Sequence, residues 1–72
     1  MAFSKDLQTI MIDETKKVIL SKYVKGFKTS YFATLYENGT YKAQVKSTKL
    51  HLALKRIIKE QNLVFKVNEQ TQ

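Results

Sequence analysis

Between Thr29 and Asn62 the chain alternates, turns, alternates again and then changes period. Phe32, Thr34 and Tyr36 alternate with Tyr31, Ala33, Leu35 and Glu37. Beyond Asn38-Gly39, Tyr41, Ala43 and Val45 alternate with Thr40, Lys42, Gln44 and Lys46. A period of two is the signature of a strand with one face buried. Asn and Gly both accept positive φ, which a type I′ turn needs at its two central positions. The turn also fixes the expected register, in which Tyr36 faces Tyr41, Thr34 faces Ala43 and Phe32 faces Val45. The expected inner face is then Phe32, Thr34, Tyr36, Tyr41, Ala43 and Val45. The expected outer face is Tyr31, Ala33, Leu35 and Glu37 beside Lys46, Gln44, Lys42 and Thr40.

After the hairpin the period lengthens. Leu50, Ala53, Leu54, Ile57 and Ile58 fall in an arc of roughly 140° on a helical wheel, which predicts an amphipathic helix. Ser47 or Thr48 suits its N-cap, because a hydroxyl there accepts an orphan backbone N–H. Asn62 suits the left-handed position that ends a helix, with Leu63 folding back on the last turn. The polar side carries Leu52, Lys55, Arg56 and Lys59. The helix is expected to lay its apolar stripe on the inner face of the hairpin.

The segment from Leu7 to Val24 supports two readings. A single helix capped by Ser4 and ended by Gly26 would carry apolar residues nearly all round, a pattern that needs complete burial. The favoured reading is a second hairpin. Thr9-Ile10-Met11-Ile12 and Val18-Ile19-Leu20 are β-rich runs around the turn-forming Asp13-Glu14-Thr15-Lys16. Gly26 suits a bulge or bend, and Lys28-Thr29-Ser30 leads into the central hairpin. Leu63-Val64-Phe65-Lys66-Val67 is a candidate short strand. Residues 1–6 and 68–72 read as frayed ends. The fold class is therefore α+β: an antiparallel meander of about four strands with one helix across one face, in a single domain of residues 1–72.

Composition narrows the chemistry. The 72 residues carry 13 Lys and Arg against six acids, a net charge of +7, and Arg56 is the single arginine. Such a field attracts nucleic acid, anionic membranes or acidic proteins. It also serves simply to keep a small domain soluble. There is no Cys, so thiolate metal sites and disulfides are ruled out. No window reaches a membrane span, and no signal-peptide run follows Met1-Ala2-Phe3, so a cytoplasmic location is expected. No phosphate loop, nucleophile elbow or metal motif occurs. His51 borders the helix stripe without an orienting partner, where a plain surface histidine is the usual case. An enzyme is not expected, nor a metal, a cofactor or a small-molecule substrate.

The functional expectation rests on the outer hairpin face. Lys42, Gln44 and Lys46 alternate along one strand, with Tyr31 beside them and Lys25 and Lys28 able to widen the surface. Lysine attracts phosphate, glutamine reads base edges, and tyrosine stacks or touches backbone. A two-stranded ribbon fits a major groove, which favours DNA over RNA. The near absence of Arg points away from bidentate base reading and toward phosphate and shape. The leading reading is a small basic nucleic-acid-binding or accessory protein. The alternative is a protein-interaction module or modulator of a larger enzyme. Leu52, beside Arg56 on the outer side of the helix, reads equally as an isolated exposed leucine or as a helix-mediated homodimer contact, since small cores gain from oligomerisation.

Overall fold

The computed structural model describes residues 2–64. Four strands form one antiparallel meander in the order β1-β2-β3-β4. They are β1 (Ala2–Met11), β2 (Lys16–Lys25), β3 (Lys28–Glu37) and β4 (Thr40–Ser47), followed by helix α1 (Leu50–Glu60). The expected α+β layout, the first hairpin and the helix are all present. The frayed lead-in is not, because Ala2–Asp6 pair with Ser21–Lys25 as the outer half of β1. That strand is exposed at every residue except Ile10, so it carries no buried-face alternation to read. Residues 68–72 lie outside the described residues. So do Phe65, Lys66 and Val67 of the candidate last strand, and Leu63 and Val64 belong to no strand.

Each turn has a local cause. Asn38 and Gly39 have φ of 54° and 78°, as a type I′ turn requires. Gly26 has φ of 60°, and Phe27 is not among the positive-φ residues. Together they form a two-residue turn closing Lys25 on Lys28. Glycine at the first central position is the type II′ pattern, so Gly26 makes a tight turn where a bulge or bend was expected. In the first turn, Asp13 Oδ1 accepts hydrogen bonds from the Thr15 and Lys16 backbone N–H groups at 2.8 and 2.9 Å. The Thr15 hydroxyl adds a third at 3.0 Å. This is an Asx turn, in which the carboxylate substitutes for a backbone acceptor. The second hairpin leans on the first, since the Asn38 N–H donates to the Thr15 carbonyl at 2.7 Å.

The register of the β3–β4 hairpin departs from the expectation after one pair. Tyr36 faces Tyr41, but Leu35 faces Ala43, Ala33 faces Val45 and Phe32 faces Lys46. Lys42 is the extra residue of a bulge. One inserted residue reverses which β3 side chains share a face with Ala43 and Val45. Ala33 and Leu35 therefore lie under the helix, 0% and 3% exposed. Phe32, Thr34 and Tyr36 lie on the opposite face. A second bulge interrupts β1 between Asp6 and Gln8.

The core lies between the helix and the inner face of the sheet. It comprises Ile12, Val18, Leu20, Ala33, Leu35, Val45, Ala53 and Ile57. Leu50, Leu54 and Ile58 of the expected stripe pack around it, as do Tyr31 and Leu63. Ala53 at the centre of the stripe lets helix and sheet approach closely. The N-cap is Lys49, with no side-chain cap bond, in place of Ser47 or Thr48. Ser47 is instead the last residue of β4, and its hydroxyl accepts the Lys49 N–H at 3.4 Å. The other end follows expectation. Asn62 has φ of 51°, and the Leu63 N–H reaches the Ile58 carbonyl while the Asn62 N–H reaches that of Lys59. These are the two bonds of a Schellman motif.

Two outcomes test these turns. Gly39→Val places a β-branched residue at φ of 78° and should lower stability by more than ~1 kcal/mol. An unchanged urea midpoint would disprove the turn assignment. The Asp13 carboxyl is lowered from 3.8 to about 2, chiefly by the Thr15 backbone hydrogen bond. A carboxylate with a depressed folded pKa stabilises the fold above its unfolded pKa and loses that contribution as pH falls through the folded value. The stability difference between wild type and Asp13→Asn should thus be full above pH 3.8 and shrink toward pH 2. A difference constant over that range, in urea titrations at each pH, would contradict the assignment.

Candidate nucleic-acid interface

The helix covers one face of the sheet, and the other face is open. Directly opposed residues share a face, so the strand registers assemble the open face row by row. The first row is Met11, Lys17, Tyr36 and Tyr41. The second is Thr9, Ile19, Thr34 and Gln44, and the third is Asp6, Ser21, Phe32 and Lys46. Ser4, Tyr23 and Ser30 follow, and Ala2, Lys25 and Lys28 close the far end.

Four aromatic rings therefore stand on this face, in two pairs. Tyr36 and Tyr41 meet edge to face with centroids 6.4 Å apart. Tyr23 and Phe32 do so at 6.2 Å. Both spacings lie in the favourable range for T-shaped contacts. Phe32 and Tyr36 stand four positions apart on β3, about 13–14 Å along an extended strand. Lys17 Nζ lies 5.9 Å from the Tyr36 ring centroid, within cation–π reach. Between the pairs, Gln44 Nε2 donates to Thr34 Oγ1 at 2.9 Å. Thr34 is nearly buried, so this bond satisfies a hydroxyl that water reaches poorly. Tyr41 and Met11 at the first row are 57% and 50% exposed.

The electrostatics of the face are one-sided. Lys17, Lys25, Lys28 and Lys46 stand on it. Asp6 is the acid among its rows, and its Oδ1 accepts the Ser21 hydroxyl at 3.0 Å. Glu37, at the end of β3, forms an ion pair with Lys42 at 3.7 Å.

The expected site residues separate accordingly. Gln44, Lys46, Lys25 and Lys28 share the open face. Tyr31 does not: it lies opposite Lys22 and Ser47 and packs against the core on the helix side. Lys42 leaves the row of Gln44 and Lys46 because it is the bulged residue. Leu52 is on the outer side of the helix, 38% exposed. Arg56 joins the helix to the sheet edge, with Nη1 donating to the Lys46 carbonyl at 2.9 Å and Nη2 3.4 Å from Glu60. His51 is exposed.

Tyr23, Phe32, Tyr36, Tyr41 and Lys17 were not among the expected site residues. A signal for most of them was available. A Gly-X pair between two β-rich runs is a type II′ hairpin loop. Read that way, Gly26-Phe27 fixes Lys17 opposite Tyr36 and Ser21 opposite Phe32, and so groups the β2 and β3 side chains by face. The bulge at Lys42 has no comparable signal.

Among the described residues, no helix is long and apolar enough to cross a membrane, and no group of three His, Cys, Asp or Glu side chains could hold a metal ion. No family model, curated protein or solved structure matches the chain.

Proposed function

We propose that the protein binds nucleic acid through the open face of its sheet. The observation that supports this reading is the grouping of two aromatic pairs with Lys17, Lys25, Lys28 and Lys46 on one face. Each ammonium attracts phosphate, and the rings offer flat apolar surface at low conformational cost. The net charge of +7 would add long-range steering toward a polyanion. The reading requires no catalytic group. Base identity would be read weakly, since arginine forks are absent from the face.

A second reading is favoured by β1. It is an edge strand exposed along nearly its whole length, with Phe3, Leu7 and Met11 40–55% exposed. Such an edge can receive a strand from a partner protein.

A salt titration with charge reversals separates these readings. The double variant Lys28→Glu, Lys46→Glu should bind DNA far more weakly than wild type. Its log–log salt slope should fall by about 1.5–2, one phosphate per lysine. Lys55→Glu, Lys59→Glu changes the net charge equally but on the exposed side of the helix, and should have the smaller effect. Equal losses in the two variants would mean diffuse attraction without a sheet-face site. No binding by wild type at low salt would sink the nucleic-acid reading and leave the β1 edge as the surface to test.

A further inference from the structure

We infer that the open face takes a single-stranded polynucleotide in preference to a duplex, with unpaired bases stacked on its two ring pairs. The inference rests on the open face being the nucleic-acid surface, and it follows from dimensions. The face is four strands wide. Three inter-strand gaps of about 4.8 Å set the outer strand axes about 14 Å apart before side chains are added. A major groove is about 12 Å wide and a minor groove about 6 Å. A two-stranded ribbon enters a major groove, but this sheet presents all four strands together.

The rings are also in the wrong place for a groove. Tyr23 is on β2, Phe32 and Tyr36 are on β3, and Tyr41 is on β4. Three of the four thus rise from the two inner strands, behind the edges that would meet a duplex first. A duplex lying across the sheet would present its phosphates to the lysines and keep its base faces stacked on one another. A single strand has free base faces, and every base has one to offer to an aromatic ring.

The lysines match that demand. Lys17 lies over Tyr36 beside the first ring pair. Lys46 is opposite Phe32 in the second. Lys25 and Lys28 follow at the Gly26 turn. Along the strand direction the face therefore reads ring pair and ammonium, a hydroxyl-amide row, then ring pair and ammonium again. A single strand presents bases and phosphates in a comparable alternation.

Three labelled probes test the inference: oligo-deoxythymidine, oligouridine and a random-sequence DNA hairpin duplex. Wild type should bind at least one single strand about tenfold or more tighter than the duplex. Because the chain has four Tyr and no Trp, stacking should also quench its tyrosine emission on the single strand. Tyr41→Leu and Phe32→Leu should each weaken single-strand binding by about tenfold and leave duplex binding unchanged. Tyr41 is more than half exposed, so its variant should retain the wild-type far-ultraviolet spectrum even if Phe32→Leu is less stable. The tighter of the two single strands assigns the sugar, and either assignment supports the inference. Duplex binding as tight as single-strand binding would overturn it. So would Tyr41→Leu and Phe32→Leu that bind single strands as wild type does while Lys28→Glu, Lys46→Glu loses binding. In both cases the face would still be a phosphate surface, and the proposed function would stand without this inference. Failure of all three probes to bind would remove both.

Discussion

One helix of eleven residues has to close a sheet whose first three strands are each ten residues long. The helix is about 16 Å long at 1.5 Å per residue. A ten-residue strand spans about 33 Å. The helix can therefore shield about half the length of one face, and nothing among the described residues shields the other. The consequences run through the molecule. The buried core is confined to the half where Val18, Leu20, Ala33, Leu35 and Val45 meet Ala53 and Ile57. Beyond it the sheet holds by its ladders, the Gly26-Phe27 turn and its cross-strand pairs. The Arg56 bond to the Lys46 carbonyl fastens the helix to β4 at the sheet edge. The open face keeps only such order as its own side chains supply, which is why the ring pairs and the Gln44–Thr34 bond are structural contacts as well as candidate binding groups.

The chain announces its local structure more clearly than its faces. Asn38-Gly39 and the Leu50–Ile58 stripe are dictated by backbone sterics and helical period, and both act within a few residues. Asn62 and Leu63 carry the helix stop for the same reason. The face assignment is a longer-range property. It depends on counting residues from the turn, and the bulge at Lys42 changes the count by one. No side-chain pattern marks that bulge, because Tyr41 on one side of it and Ala43 on the other are both apolar enough for either face. The inner face is fixed instead by what the helix can pack against. Small and aliphatic side chains at Val18, Ala33 and Leu35 admit close approach, whereas the rings of Phe32 and Tyr36 would hold the helix off. The outer half of β1, Ala2–Asp6, was hidden for the opposite reason. An edge strand exposed on both sides has no burial requirement, so its sequence need not alternate.

The same inversion changed the candidate site without changing its charge. Lys25, Lys28, Lys46 and Gln44 were legible as an outer surface because lysines at strand spacing avoid the core on either register. Tyr31 exchanged places with Phe32 and Tyr36. Its polar oxygen and long ring allow it to sit at the border of the core, while the two residues beside it turn outward. A surface expected to hold one tyrosine among lysines holds two ring pairs among lysines.

That exchange also alters what the surface can recognise. A lysine row on a two-stranded ribbon suits the edges and phosphates of a groove. Ring pairs on the inner strands of a wider sheet suit flat partners that arrive unstacked. Rings on an uncovered sheet face, half-buried at Tyr23, Phe32 and Tyr36 and exposed at Tyr41, carry an aggregation risk, since two such faces could adhere. Lys17, Lys25, Lys28 and Lys46 counter it, because face-to-face association would bring like charges together in a drying interface. A polyanion relieves that repulsion where a second copy of the face would aggravate it. The charge that would hold two copies of the face apart is thus the charge that would favour an anionic partner under the proposed function. The preference of lysine over arginine on this face fits the same logic. A strongly hydrated point charge on a flexible stem repels and attracts without committing to one planar geometry. Such a surface would hold a polynucleotide by its phosphates and base faces while leaving the order of its bases largely unread.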